Sequence, residues 1–436
     1  MSEASPEPTS PAPKQRRVGP LRGLAISLAA FAAMLVIGEV GLRVTNYRQR
    51  VFDQVIEEQI GYWAGFAGTD LFMEVPDPVR RYTVRPGARV QVGDWVFRGS
   101  KQRTRGEDIP PEKAPDERRM LCLGDSFAFG LWCDEEETLI GHLVRLANER
   151  ERELGSGITW RAIDTGVPGY NTEQQLAALE QDGLALDPDV VVLYYNTNDI
   201  DTNALMYDEE FGVMRRDYMP IPVPLKRILW KSYLYGWIER RYRLALESGD
   251  VPPHLNPRVP SSFVREDSQE RTRDALERIA EICRDRGIPL FFVDQPLLTW
   301  QGDMQNPNWD ALGLYEWGEK VRGELAIPGV GLLGLFRGWL DGVDRTAEGA
   351  PIEFLWDTVC ADQALQAAVD WARARAAERG DSFEALSVDE QRALLARYFQ
   401  EGGTLPAHPD FHMTGEGYRL IANVAYAAMR DAGILP

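Results

Sequence analysis

The six residues Val190–Tyr195 are apolar or aromatic without a break, just after Pro188-Asp189. A run this short with no polar face reads as a strand buried on both sides, the kind found inside parallel sheets. The surrounding text keeps that rhythm. Met120–Leu123 is a short apolar run that ends in Gly124-Asp125-Ser126 and precedes a helix through Thr138–Glu151. Trp160–Thr165 is the next strand, followed by a helix over Glu173–Asp182 with Thr172 as its N-cap. Ser268–Arg286 is amphipathic and stops at Gly287, Pro289–Asp294 is a fourth strand, Gly329–Leu335 a fifth, and Met413–Ala432 a closing helix. Strands alternating with helices predict an α/β fold, a central parallel sheet covered on both faces, over residues 116–436.

Two stretches break the rhythm. Residues 201–265 carry Trp230, Tyr233, Tyr235, Trp237 and Tyr242 among many arginines, and residues 345–405 read as helices near Ala364–Arg379 and Val388–Gln400. Both are expected as insertions above the carboxyl ends of the strands, where open parallel sheets bind ligands. Residues 43–115 form a charged stalk and then an irregular, Pro- and Gly-rich extension, with a strand-like run at Arg89–Phe97, that wraps the main domain.

The N-terminus reads as a tether. Residues 1–20 are too polar and Pro-rich to fold and carry Lys14, Arg16 and Arg17. The run 21–42 then holds only Arg22 and Glu39 as charges, and about 20 apolar residues cross a bilayer as a helix. Positive charge stays cytoplasmic, which predicts a single-pass protein with its N-terminus inside and its folded domain periplasmic or extracellular. The competing reading is a cleaved signal peptide, with Ala30-Phe31-Ala32 as its small-x-small site, but that site lies inside the apolar run instead of after it.

Charge narrows the partners. Residues 1–50 hold seven Lys/Arg against three Glu, so the rest of a chain with net charge -19 carries -23. A body that acidic repels phosphate backbones, which argues against nucleic acid. The four cysteines (Cys122, Cys133, Cys283, Cys360) have no metal-ligand spacing, and buried free thiols are preferred over a disulfide.

Four short segments carry chemistry. Ser126 sits on a turn between a buried strand and a helix, where its hydroxyl is presented at the sheet edge. A serine needs a base to lose its proton, and Asp410-Phe411-His412 offers an imidazole with a carboxylate two residues away on the same side of an extended segment. The segments 165–171 and 196–199 follow strands two and three and offer a backbone N–H at a glycine and a side-chain amide donor, the kind of groups that hold an oxyanion. Singly, each is also an ordinary turn, cap or surface loop.

Taken in their order along the chain, Gly124-Asp125-Ser126, Gly169, Asn198 and Asp410-x-His412 resemble the SGNH (GDSL-type) hydrolase family over roughly residues 80–430. Trp95–Glu107, Tyr170–Gln175 and Pro188-Asp189 are similar to its membrane-anchored bacterial branch. The resemblance implies a flavodoxin-like three-layer sandwich and catalysis by Ser126, Asp410 and His412. The oxyanion hole would be formed by Ser126 N–H, Gly169 N–H and Asn198, with no cofactor. It implies an ester or acylated-saccharide substrate. The alternatives are O-acyl transfer to an envelope polysaccharide and a non-catalytic glycan-binding module. Three departures stand out: Phe127 where the family has Leu, Asn196 where it usually has Gly, and Pro409 where it often has the triad Asp. His408 is the fallback base.

Overall fold

The computed structural model describes residues 20–47, 69–92, 95–131, 133–200, 205–208, 213–216, 221–247, 268–296, 313–333, 366–382, 412–413 and 415–436. The apolar run is one continuous helix, α1 (Pro20–Val44). Its Arg22–Val44 portion has mean hydropathy 2.1, and none of its apolar window is buried against the rest of the chain. Two small antiparallel hairpins follow, β1 (Phe72–Glu74) with β2 (Tyr82–Val84), and β3 (Arg89–Val92) with β4 (Trp95–Arg98).

The main domain then opens with β5 (Glu117–Gly124), the single-turn α2 (Ser126–Phe129), α3 (Leu139–Leu154) and β6 (Thr159–Asp164). It continues through α4 (Thr172–Gln181) and β7 (Val190–Asn196). Between β7 and the next core helix lie a hairpin, β8 (Leu205–Asp208) with β9 (Val213–Arg216), and two helices, α5 (Val223–Leu229) and α6 (Tyr233–Glu247). The 201–265 stretch therefore holds a β-hairpin as well as helices. After α7 (Ser268–Arg286) come β10 (Leu290–Gln295), α8 (Leu314–Glu324), β11 (Gly329–Gly331), α9 (Gln366–Glu378) and α10 (Gly415–Asp431).

Five strands form one parallel sheet in the order β6–β5–β7–β10–β11. Alternate residues of each strand enter opposite cores, as a pleat requires. Met120, Cys122, Val192 and Tyr194 pack with Leu143 of α3 and Ile421 and Ala425 of α10. Leu121, Leu123, Val191 and Leu193 pack with Leu179 of α4 and Leu276 and Ile279 of α7. This is the expected three-layer α/β sandwich. The extension forms a third cluster, in which Tyr82, Val84 and Phe97 meet Phe129, Val167 and Tyr170.

Local corrections are few. The N-cap of α4 is Asn171, not Thr172: its side chain accepts from Gln174 N–H at 3.0 Å, and Gln174 returns the contact to Asn171 N–H at 3.1 Å. The last helix starts at Gly415, leaving His412 and Met413 outside it. The run at 89–97 is a hairpin, not one strand. Val388–Gln400, His408, Pro409, Asp410 and Cys360 lie outside the described residues. Cys122, Cys133 and Cys283 are buried free thiols.

Candidate active site

The sheet order places β5 and β7 side by side at the point where successive connections leave in opposite directions, the place where open α/β sheets bind ligands. Both strands end there in chemistry, β5 at Gly124-Asp125-Ser126 and β7 at Asn196-Thr197-Asn198. Gly124 is required by crowding: a Cβ on it would stand 2.5 Å from Ala128 Cβ and 2.8 Å from Tyr194 O. The bare backbone lets the chain turn sharply into α2, with Ser126 as its first residue.

Across this turn lies His412, fully buried, with Nε2 2.7 Å from Ser126 Oγ. Its ring stacks on Phe127 at 4.6 Å between centroids, so the Phe that departs from the usual Leu forms a wall for the imidazole. Cys133 Sγ donates to Met413 O at 3.5 Å, and His142 Nε2 lies 3.0 Å from Gly415 O, which ties the chain just after His412 to the turn after α2 and to α3.

Asp125 organises the same corner. Its carboxylate accepts from Phe127 N–H at 2.9 Å and from Asn198 Nδ2 at 3.0 Å, and Ser126 Oγ is 3.4 Å away. Burial pushes this carboxyl above its usual range, opposed by those hydrogen bonds and by His412. Asn198 keeps a second amide hydrogen beyond the one directed at Asp125. Asn196, the other departure, has no positive φ that would call for glycine, and its N–H donates to Asp199 Oδ2 at 3.0 Å.

Gly169 sits in the β6–α4 turn with φ +77°, a conformation glycine adopts without strain. Val167 N–H donates to Gly124 O at 3.3 Å, which lays this turn alongside the Ser126 turn. Asp164 Oδ1 accepts from Gly166 N–H at 2.8 Å, and burial raises its carboxyl to about 7. The extension holds the turn from outside. Tyr82 Oη donates to Pro168 O at 2.7 Å, Arg80 Nε to Tyr170 Oη at 3.0 Å, and Gln174 Nε2 to Arg80 O at 2.9 Å.

Sequence reading missed Arg105. Its guanidinium is buried against the Phe97 and Phe129 rings, which stack on each other, and donates to the backbone carbonyls of Phe129, Gly130 and Cys133. These carbonyls close the turn that starts at Ser126, and the left-handed Gly130 (φ +62°) brings them together. Arg105→Leu should therefore cost about 3 kcal/mol or more, because it strands buried acceptors. Thermal unfolding of the purified protein checks this, and a loss below about 1 kcal/mol would show that the carbonyls find water instead.

No group of His, Cys, Asp and Glu suited to a metal occurs among the described residues. Residues 122–315 match the family model described as the GDSL-like Lipase/Acylhydrolase family. No curated protein matches the chain. Among solved structures it is similar to the lipase/acylhydrolase from Enterococcus faecalis, with 15% identity, 73% of this chain and 97% of that one covered, and a TM-score of 0.33. It is also similar to a catalytic mutant of an acetylxylan esterase from Geobacillus stearothermophilus, with 14% identity, 69% and 100% covered, and a TM-score of 0.32.

Proposed function

We propose that the chain, whose residues 122–315 match the model of the GDSL-like lipase/acylhydrolase family, is an ester hydrolase of that kind and cleaves an ester outside the cytoplasmic membrane through an acyl-serine intermediate. One observation carries the reading: Ser126 Oγ and His412 Nε2, 286 residues apart in sequence, are 2.7 Å apart. Ser126 attacks the ester carbonyl while its proton passes to His412 Nε2. The carbonyl oxygen takes the negative charge and is held by Ser126 N–H, Gly169 N–H and the free amide hydrogen of Asn198. His412 returns the proton to the departing alcohol, and the acyl group leaves Ser126 on attack by water or by a saccharide hydroxyl. Asp410 orients the imidazole from two residues away.

The helix α1 supports the location. It is long and apolar enough to cross a bilayer and is flanked on its N-terminal side by Lys14, Arg16 and Arg17. That placement puts the site beside envelope glycans, and transfer to a saccharide remains the second reading for this reason.

The purified full chain should be labelled by a fluorophosphonate at Ser126, as an activated serine is. Absence of labelling in active-site-intact protein would favour the non-catalytic glycan-binding module. Acyl-donor turnover with and without saccharide acceptors then separates the two enzymes: release of free acid unaffected by acceptor means hydrolysis, and acyl-saccharide formed at its expense means transfer.

A further inference from the structure

The insertion helix α6, which follows α5 closely, is fastened at its start to the far end of α1. Glu39, the one acidic residue in the apolar run, accepts from Leu234 N–H at 2.8 Å, Tyr233 N–H at 3.1 Å and Ser232 Oγ at 2.7 Å, and so caps the start of α6. Arg43 joins from the same helix, donating to Glu39 at 2.7 Å and to Lys231 O at 2.8 Å, with its guanidinium 4.7 Å from the Tyr233 ring centre. A carboxylate within an apolar span is costly unless partnered, and these donors are what Glu39 meets. Seventeen residues separate Arg22 from Glu39, about 26 Å of helix at 1.5 Å per residue. The hydrocarbon layer is about 30 Å thick, so if Arg22 marks one edge the start of α6 lies at the other.

The surface of α5 and α6 suits that depth. Outside α1, six large apolar side chains are exposed among the described residues, and four belong here: Leu225 (47%), Ile228 (69%), Trp237 (37%) and Ile238 (42%). Arg241 lies over the Trp237 ring at 5.5 Å. Residues 223–247 hold six Lys/Arg against two Glu in a body that is otherwise strongly acidic; Lys226 is buried, and Lys231 and Arg241 are exposed. Exposed apolar groups with aromatics and cations are the composition of helices that lie in a membrane interface, and basic residues add attraction to anionic lipid.

We propose that α5 and α6 form a collar seated in the anionic headgroup layer of the bilayer that α1 crosses, with the Glu39 cap fixing the catalytic domain to that surface. The collar rests on the reading of α1 as an anchor. It carries the exposed apolar side chains of α5 and α6 down to the lipid and leaves the acidic body standing away from it.

The test uses the full chain in vesicles of phosphatidylcholine, with or without phosphatidylglycerol, carrying a photoreactive benzophenone amino acid at one position. Position Phe31 reports on the anchor, Ile228 and Trp237 on the collar, and exposed Leu154 is the control. Lipid adducts are expected at Phe31, Ile228 and Trp237 and not at Leu154, with collar adducts several-fold higher when phosphatidylglycerol is present. Glu39→Ala should lower the Trp237 adduct several-fold and leave Phe31 unchanged. Adducts at Phe31 without any at Ile228 and Trp237 would overturn the collar alone, whereas none at Phe31 would overturn the anchor. Equal collar yields in both vesicles would overturn the anionic preference.

Discussion

Ser126→Ala is expected to abolish ester turnover, by about 10⁴-fold or more, while the protein keeps its fold. Among the described residues Oγ has two side-chain hydrogen-bond neighbours, His412 Nε2 at 2.7 Å and Asp125 Oδ2 at 3.4 Å. The turn is held by groups that survive the substitution. Asp125 still accepts from Phe127 N–H, Gly124 still passes close to Tyr194 O, and Arg105 still gathers the carbonyls after α2. Stability should change by about 1 kcal/mol at most, since one small hydroxyl is removed. Hydrolysis of a short p-nitrophenyl ester and a thermal unfolding curve, measured on the same preparation, check both halves. Turnover within a few-fold of the parent would assign the nucleophile elsewhere. A collapse of stability would make Ser126 a structural residue whose loss of activity says nothing about chemistry.

The parts of this molecule legible in the sequence are those where one-dimensional pattern and three-dimensional burial are the same fact. Val190–Asn196 is buried at every position, so its run has no polar break to misread. Ser268–Arg286 is half-exposed and shows it by period, with Ala275, Leu276, Ile279 and Cys283 on the inner side. The helix α8 went unread for a physical reason. It contains Gly318, where a Cβ would fall 2.6 Å from Tyr195 Cε1 and 2.7 Å from Asp294 Oδ2. Close packing against the sheet demanded a residue that weakens the helical pattern. The N-cap error has a similar origin: Asn171 and Thr172 are both competent caps, and only the backbone conformation at 171 decides between them.

The site was legible to different depths. The pairing of a serine after the first strand with a histidine near the end of the chain came from the order of four segments together with the family that this order resembles. The structure brings those two side chains into contact. What surrounds them left no trace. Arginine is rarely buried, so nothing in the text marks Arg105 or Arg80 as core residues, yet they grip the Ser126 turn and the Gly169 turn respectively. Glu39 was visible as an acid in an apolar run, but its partner, the start of α6, lies nearly two hundred residues away in sequence. Long-range capping of this kind has no local signature.

His412→Ala is expected to lower turnover by about as much as Ser126→Ala, because a hydroxyl without its base is a poor nucleophile. The stronger expectation concerns the pair. If Ser126 and His412 act as one unit across their 2.7 Å contact, the double variant should be no slower than either single variant, since once the proton has no acceptor the loss of the hydroxyl removes nothing further. Independent contributions would instead multiply. The measurement is a double-variant cycle on one ester substrate, with fluorophosphonate labelling as a second readout that needs the serine as nucleophile and reports how strongly it is activated. His412→Ala should still retain Ser126 but label far more slowly, and a normal labelling rate would show that another group activates the serine. The ring's other role is separable in the same cycle. His412 stacks on Phe127 and is fully buried, so Ala leaves a cavity and should cost on the order of 2 kcal/mol or more. His412→Gln, which keeps more of the volume but cannot accept and return the proton as imidazole does, should recover much of that stability and none of the turnover. Recovery of turnover along with stability would mean that His412 serves packing and that the base lies elsewhere.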